Sequence, residues 1–426
     1  MASDNLMGAV SSYEKFIEQH GIEEPVLDAY IEACKVAIHT ERDVEYGLQC
    51  TKRSKELIER FCTEKTGGTI WDLEKFAFAN KIEYELIDKF YEPTLLEAQN
   101  QQVESCFRYL EKKRDPKERF YMPKRNQFLN IGLPQALQGM INDDYDILCI
   151  SLPPGSGKTT IEKFFITGVI GWFPKDFSLF YSHSGDITRM FYDGAYDIVT
   201  NSDEYTWYDI FPDLRVTSTN AKMEQFNVGK YKPFPSLQCT SVGSKNAGKV
   251  RASKYLMVDD MIGGTEEAMN PTILDKLWDK YAVDARQRKI QDTSGKNCKE
   301  IHIATRWSVR DVIGRLQTMY EGNPRVKVIA VPDVDPVTGK SNFNYEYGGF
   351  TEEFFADQQL LMDEISYRCL YKQDPIEREG LLFPDDKIRR YLNLPHGEPE
   401  IITAQCDTKG KGTDYFVLPV LQKYGE

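Results

Sequence analysis

Residues 151–160, SLPPGSGKTT, combine residue types and a spacing that suit the binding of phosphate groups. A phosphate-binding loop needs backbone N–H groups that converge on the anion, a lysine that reaches the outer phosphates and a hydroxyl group for Mg²⁺. We assign these functions to Gly155, Ser156, Gly157, Lys158, Thr159 and Thr160. The full pattern, G-x-x-x-x-G-K-[ST], has a further glycine at position 152, where this chain has leucine. The sequence therefore predicts a nucleotide-binding loop that lacks one of its usual glycines.

Two adjacent carboxylates, Asp259 and Asp260, follow a short apolar run at 255–258. Placed at a strand end near the loop, Asp259 would hold Mg²⁺, directly or through water. Asp260 would orient and polarise the attacking water. A solvated turn after a buried strand is the other interpretation of this pair. The long interval between Thr159 and Asp259 favours a large ATPase core over a small kinase. The two motifs together predict hydrolysis of ATP with Mg²⁺.

A threonine, Thr305, ends a further apolar run, EIHIAT at 300–305. At the carboxyl edge of a sheet, beside the two motifs above, such a residue can sense the γ-phosphate and relay its loss. The high β-propensity of threonine also explains its presence at a strand end.

The adenine base is expected to bind just upstream of the loop, within residues 120–140. A ring that stacks on the base and an amide that reads its edge would suffice there. Tyr121, Arg125 and Gln135 are the candidates, and core packing explains the aromatic residues equally well.

Composition restricts the class of protein. The chain has 426 residues, of which 41% are hydrophobic and 12% aromatic, so a large core can be buried. The net charge of −13 argues against a protein that coats nucleic acid without sequence preference, although local basic loops can still contact DNA. The start has no features of a signal peptide, and the apolar run nearest the loop is too short to span a membrane. Nine cysteines without C-x-x-C pairs and five histidines without metal-ligand spacing predict a reduced cytoplasmic protein without structural zinc.

The periodicity of the apolar residues changes near residue 145. Residues 1–117 have helical spacing throughout, whereas short β-rich runs alternate with helical stretches after 145. Such alternation predicts a mainly parallel sheet covered on both faces. The predicted fold class is therefore α/β, with a P-loop NTPase core preceded by an all-helical region. The strands are predicted at 147–152, 178–183, 236–242, 254–260, 300–305, 326–331 and 400–407, and two helices are predicted to begin with the caps Asn270 and Ser308.

Six segments in order resemble the large subunit of tailed-phage terminases, over about residues 118–426. They are LPPGSGKTT, IFPDLR, GKVRASKYLMVDDM, IATRWSVRDVIGRL, VIAVPDVDP and YKQDPIEREGLLFP. The resemblance implies a motor that hydrolyses ATP to thread double-stranded viral DNA into a procapsid through the portal protein. It also implies a small terminase subunit as partner. The assembled motor would be a homo-oligomeric ring, and the isolated chain would be either a ring or a monomer. The resemblance further implies that no membrane is involved and that the protein acts in the host bacterial cytoplasm, with transient docking at the procapsid portal.

The resemblance also implies functions for single residues. Lys158 and Thr159 correspond to the Walker A pair, and Asp259 to the Walker B carboxylate that binds the metal. Asp260 takes the position of the catalytic carboxylate, where many relatives have glutamate, and Thr305 lies in the coupling motif. The shorter side chain at position 260 reaches about one methylene less far than glutamate would.

An arginine ahead of Asp259 is implied as a finger that reaches the ATP of a neighbouring subunit. Arg251, eight residues before Asp259, is the candidate because it matches a family arginine at this place, and Lys249 is in reserve. Many relatives also carry an arginine inside the phosphate loop, where this chain has Gly155 and Ser156, so an arginine from elsewhere becomes more important here. The same basic loop could instead contact DNA phosphates or simply be solvated.

The last segment resembles the start of an RNase H-like nuclease domain. Asp407 matches its first metal-binding aspartate and Asp414 a second acidic position, and two-metal cleavage needs further carboxylates that the remaining residues do not provide. We therefore expect this polypeptide not to cut DNA. The predicted domains are a helical region at 1–117, an ATPase at 118–388, a linker at 389–400 and the start of the truncated nuclease at 401–426.

Two other classes of function remain open at this point. A P-loop phosphotransferase would need an acceptor site and a lid over the phosphates. An adaptor that binds ATP without hydrolysing it would follow if the short side chain of Asp260 did not reach the water.

Overall fold

The computed structural model describes residues 2–244, 250–376, 397–405 and 418–424. The chain divides after Ile376 into two compact units, and each is described by itself. The first unit, Met1–Ile376, contains the amino-terminal helices and the large sheet. The domain boundaries expected at 117, 388 and 400 stay predictions.

Six α-helices lie within residues 1–117, as the periodicity of this region predicts. Their apolar faces pack on one another, with Leu27 and Ile31 against Leu57 and Ile58 in one buried cluster. Gly67 ends the third helix in the left-handed conformation that favours glycine. The helices are α1 (Asp4–His20), α2 (Glu24–Lys35), α3 (Val44–Thr66), α4 (Ile70–Asn80), α5 (Glu85–Gln99) and α6 (Val103–Leu110).

The rest of the first unit alternates strands and helices. The strands are β1 (Ile147–Ser151), β2 (Ser178–Ser182), β3 (Val216–Asn220), β4 (Gln225–Val228), β5 (Leu237–Ser241), β6 (Tyr255–Asp259), β7 (Lys299–Ala304) and β8 (Val326–Ala330). The helices are α7 (Arg125–Asn130), α8 (Leu133–Asn142), α9 (Lys158–Trp172), α10 (Gly185–Thr200), α11 (Trp207–Ile210), α12 (Thr265–Ala268), α13 (Pro271–Asp279), α14 (Val312–Met319), α15 (Glu352–Leu361) and α16 (Glu364–Tyr367). None of the helices in the described residues is long and apolar enough to cross a membrane.

The eight strands form one sheet in the order β3-β4-β5-β2-β6-β7-β1-β8. From β5 to β8 every neighbouring pair is parallel, and β3 and β4 add an antiparallel edge. Both faces of the sheet are covered, since alternate residues of β1 belong to two different buried clusters. The predicted mainly parallel α/β fold is confirmed. Because β7 lies between β1 and β6, the residues that follow these three strands meet at one edge of the sheet.

The second unit contains an antiparallel strand pair, β9 (Ile401–Ala404) and β10 (Val420–Lys423). The strand predicted at 400–407 is therefore present over four residues. Asp407 and Asp414, the two predicted nuclease ligands, lie outside the described residues.

Of the two predicted helix caps, one is confirmed and one is wrong. Asn270 caps α13, since its side chain accepts hydrogen bonds from two backbone amides. The cap of α14 is Asp311 rather than Ser308, because the Asp311 carboxylate accepts a 2.7 Å hydrogen bond from the Gly314 amide. The same carboxylate pairs with the buried Arg306 guanidinium at 2.9 Å, an interaction that serine could not make.

Replacement of Asp311 by alanine is expected to destabilise the protein by about 3–5 kcal/mol, because it leaves the buried Arg306 unpaired and α14 uncapped. Ser308→Ala is the matched control and should cost no more than about 1 kcal/mol. Urea unfolding followed by circular dichroism gives both values. Equal losses in the two variants would contradict the assignment of the cap.

Candidate nucleotide-binding site

The glycine that the loop lacks is not needed by its backbone. Gly155 and Gly157 have φ values of 77° and 96°, in the region that favours glycine, whereas Leu152 is not among the residues with positive φ. The Leu152 side chain is fully buried in the main core, and its amide donates to the Ala304 carbonyl oxygen at 3.3 Å. Leucine at this position therefore attaches the loop to the core instead of adding flexibility.

Truncation of Leu152 to alanine is expected to cost about 2–5 kcal/mol of stability through the cavity it leaves. Nucleotide affinity should stay within a few-fold of the wild-type value, because the Leu152 side chain points into the core. Thermal unfolding and titration with a fluorescent ATP analogue measure the two quantities separately. A large loss of affinity in a folded variant would mean that the leucine shapes the phosphate site itself.

Aromatic residues distant in sequence hold the loop from outside. A Cβ atom added at Gly155 would lie 2.8 Å from the Phe350 ring, and one at Gly157 would lie 2.8 Å from the Phe120 ring. The Tyr345 hydroxyl donates to the Ser156 carbonyl oxygen at 2.8 Å. Phe120 begins the segment predicted to bind the base, whereas nothing in the sequence marks Tyr345 and Phe350 as neighbours of the loop.

Ser156 was predicted to bind phosphate, and its hydroxyl has another partner here. It donates to the Pro153 carbonyl oxygen at 2.8 Å, and the side chain is buried. Thr160 lies partly exposed in the first turn of α9. The first amides of this helix have no intrahelical acceptor and are available to an anion.

The predicted lysine, threonine and carboxylate meet at the carboxyl edge of the sheet. The Lys158 ammonium donates to the Thr305 hydroxyl and, at 3.3 Å, to the Leu152 carbonyl oxygen. The Thr305 amide donates to the Asp260 carboxylate at 3.0 Å. Thr305 therefore contacts Lys158 through its side chain and Asp260 through its backbone, so the residue that directly follows β7 joins the two motifs.

Asp259 has the contacts expected of a metal ligand. One carboxylate oxygen accepts a 2.8 Å hydrogen bond from the Thr159 hydroxyl, and the other, Oδ1, is buried without a hydrogen-bond partner. Burial and the charge of Asp260 raise the pKa of the Asp259 carboxyl above its ordinary value. An unsatisfied buried oxygen is unfavourable, and a divalent cation would satisfy it. A hydroxyl and a carboxylate are the protein ligands that Mg²⁺ takes together with substrate phosphates, so the residues fit the ion.

Asp260 has an unusual backbone conformation. Its φ value is 34°, a conformation that side-chain-bearing residues rarely adopt. Contacts from both sides stabilise it, since its amide donates to the Ile303 carbonyl oxygen at 3.1 Å and its own carbonyl oxygen lies 2.6 Å from His183 Nδ1. The carboxylate is thus held at the end of β7. His183, which follows β2, was not singled out in the sequence.

A third carboxylate, Glu162, lies beneath the loop on α9. Its side chain is 1% exposed, and both of its carboxylate oxygens are buried without a hydrogen-bond partner. Burial, followed by the charges of Asp259 and Asp260, raises the pKa of Glu162 well above its ordinary value. Sequence reasoning missed Glu162 because a single glutamate in a helix usually faces solvent.

The three residues predicted to bind the base are not brought together at the loop. Tyr121 is fully buried, with its ring edge-on to Phe107 at 5.4 Å, so no face is free for a base to stack on. Arg125 pairs with Glu104 at 2.6 Å, and Gln135 is exposed on α8. Arg125 and Gln135 line a cavity of about 420 Å³ that Lys52 and Lys55 of α3 also line.

A different cavity lies beside the aromatic residues that hold the loop. It has a volume of about 470 Å³, and its lining includes Gln127, Asn342 and Asn344. Asn344 precedes Tyr345, and the Gln127 side chain donates to its carbonyl oxygen at 2.6 Å. Gln127, on α7 one residue before the buried Phe128, therefore lines this cavity, whereas Gln135 lines the other one.

Arg251 lies near the other edge of the sheet. The Ser253 amide donates to the carbonyl oxygen of Phe177, which directly precedes β2. The Ala252 amide donates to the Arg288 carbonyl oxygen. Among the described residues the Arg251 guanidinium donates to the Val250 carbonyl oxygen and forms no ion pair. The assignment of Arg251 as an arginine finger stays a prediction. Lys249, the reserve candidate, lies outside the described residues.

A search of solved structures finds similarity to phage terminases at low identity. The matches include two structures of the large terminase ATPase domain of Thermus phage P74-26, one of them an arginine-to-alanine mutant. The mutant is 12% identical with a TM-score of 0.40, over 56% of this chain and 93% of that chain. The other is 12% identical with a TM-score of 0.37, over 55% and 89%. The large terminase of bacteriophage HK97 is 11% identical with a TM-score of 0.41, over 65% of this chain and 55% of that one. No protein-family model and no curated protein matches the chain.

Proposed function

We propose that this chain hydrolyses Mg-ATP and is the motor subunit of a phage terminase. The observation that carries the hydrolysis is the set of bonds at the sheet edge, in which Lys158 contacts Thr305, Thr305 contacts Asp260, and Thr159 contacts Asp259. These residues come from β1, β6 and β7 or the segments that follow them. The proposed terminase function rests on the order of the sequence motifs.

The loop would bind the phosphates of ATP. Lys158 and the free amides at the start of α9 supply positive charge and N–H donors to the outer phosphates. Thr159 and Asp259 would hold Mg²⁺, which neutralises charge on the phosphate oxygens when it is bound. The aromatic residues on the outside of the loop, Phe120 and Phe350, exclude water from this side.

Asp260 would act on the attacking water. Its carboxylate is fixed by the Thr305 amide and by the constrained backbone, so it can orient a water molecule and accept its proton without first reorganising. Phosphate binding would draw the Lys158 ammonium away from the Thr305 hydroxyl. We propose that this exchange couples the nucleotide state to β7 and to Arg306, which Asp311 anchors to α14.

The motor acts, in this proposal, on double-stranded DNA at a procapsid portal in the host bacterial cytoplasm. A ring of subunits would allow Arg251 of one chain to reach the ATP of the next. The small terminase subunit and the portal protein are the proposed partners, and Asp407 and Asp414 are the proposed start of a nuclease site.

Phosphate release from Mg-ATP, with and without linear double-stranded DNA, tests the proposed function. We expect turnover by the purified chain and an increase when DNA is added. Formation of ADP without free phosphate in the presence of an acceptor would instead indicate a phosphotransferase. Thermal stabilisation by ATP with no turnover, even at high protein concentration with DNA, would indicate an adaptor that binds ATP without hydrolysing it.

A further inference from the structure

Glu162 differs from the other fully buried glutamates described in the chain. Glu300 accepts hydrogen bonds from Arg286 and Lys289, and Glu111 accepts them from two backbone amides. Both oxygens of Glu162 lack a donor although the side chain is 1% exposed. A buried carboxylate without donors is strongly unfavourable, and a partner that binds in another state of the protein would relieve this cost.

The position of Glu162 shows where that partner would lie. Residues three and four positions apart share one face of a helix, so Glu162 is beneath Thr159 and Lys158 on α9. Side chains on a helix lean toward its amino terminus, which directs the Glu162 carboxylate toward the loop. The buried Asp259 carboxylate is near enough for its charge to act on Glu162. Three carboxylate oxygens without donors, two from Glu162 and Oδ1 of Asp259, are therefore gathered below the phosphate loop.

A hydrated divalent cation would offer both positive charge and water donors to these oxygens. Mg²⁺ retains several of its water ligands in nucleotide sites, and each coordinated water carries hydrogens that a nearby carboxylate can accept. The ion also offsets the repulsion between two buried carboxylates. A lysine could neutralise only the negative charge of one carboxylate. The nearby Lys158 already donates to the Thr305 hydroxyl and to the Leu152 carbonyl oxygen.

We propose that Glu162 is a positioning residue of the metal site, which accepts hydrogen bonds from water ligands of the Mg²⁺ held by Thr159 and Asp259. This inference rests on the proposed ATPase function, since the ion would arrive with ATP. Glu162 would contact neither the nucleotide nor the ion directly. Its effect is to fix the geometry of the hydrated ion.

Mn²⁺ binding tests the proposal without measuring turnover. Free Mn²⁺ is measured by electron paramagnetic resonance during titration of the full chain with a non-hydrolysable ATP analogue. Glu162→Gln should bind Mn²⁺ about 10–100-fold more weakly than wild type, because the amide replaces one acceptor oxygen by a donor. The metal-free variant should unfold at the same temperature as wild type or a higher one, since a buried acidic group without hydrogen-bond partners is replaced by a neutral amide. Glu97→Gln, in a buried ion pair of the helical region, is the matched control and should leave Mn²⁺ affinity unchanged.

Distinct results would overturn the inference and the proposed function. Mn²⁺ affinity within twofold of wild type in Glu162→Gln, while wild type binds Mn²⁺ with the analogue, would overturn the inference alone. Absence of Mn²⁺ and analogue binding by wild type would overturn the proposed function and the inference with it. Should the glutamine variant fold poorly, Glu162→Met, which has no polar atom to satisfy, is expected to show the same loss of Mn²⁺ affinity.

Discussion

Lys158→Ala is expected to reduce ATP hydrolysis by at least about 10²–10³-fold. The variant loses the only charge of the loop that is placed to stabilise the outer phosphates, in a site where burial strengthens electrostatic interactions. The fold should survive, because the Thr305 hydroxyl still donates to the Leu152 carbonyl oxygen at 3.4 Å. Phosphate release measured with saturating Mg-ATP gives the result.

Lys175→Ala is the matched control for the loop lysine. Lys175 is exposed in the segment after α9, so its loss changes the net charge equally and leaves the site intact. We expect wild-type turnover from it. Normal hydrolysis by a folded Lys158→Ala variant would remove this loop from the mechanism.

Asp260→Asn is expected to lower the maximal rate by about 10²–10⁴-fold with ATP affinity nearly unchanged. Asparagine keeps an oxygen for the Thr305 amide and tolerates the positive φ value, so only the basicity of the side chain is lost. Single-turnover hydrolysis and equilibrium binding of ATP measure the two quantities.

Glu266→Gln is the comparison for the catalytic carboxylate. Glu266 is exposed in the short helix α12 and is the alternative base if the side chain of Asp260 is too short. We expect it to turn over normally. Loss of activity in Glu266→Gln together with retention in Asp260→Asn would transfer the function to Glu266.

The central strands could be predicted to within one or two residues because they are buried on both faces. Continuous apolar runs such as that of β1 are characteristic of parallel sheets. The edge strands β3 and β4 were missed because β3 is mostly exposed and polar. Ser308 and Asp311 are both good capping residues. The sequence does not show that Arg306 forms an ion pair with Asp311, which selects Asp311 as the cap.

The chemistry of the site was more predictable than its surroundings. Lys158, Asp259 and Thr305 each follow or end a strand, so topology alone brings them together once β7 lies between β1 and β6. The residues that bind the base stay a prediction, because the sequence does not distinguish an aromatic ring in the core, such as Tyr121, from one that lines a site. Phe350 reaches the loop only through the tertiary fold.

The attachment of the loop at both ends has a mechanical consequence. The Leu152 side chain is fully buried in the core, so the start of the loop moves only together with the sheet. On the outside, Phe350 stacks on Phe354 of α15 at 4.8 Å, while Tyr345 bonds to Ser156. If residues 153–157 shifted when phosphate binds or leaves, these contacts would therefore transmit the shift to α15. In the proposed motor, movement of the loop would therefore be transmitted along the helices that follow the sheet as well as through β7.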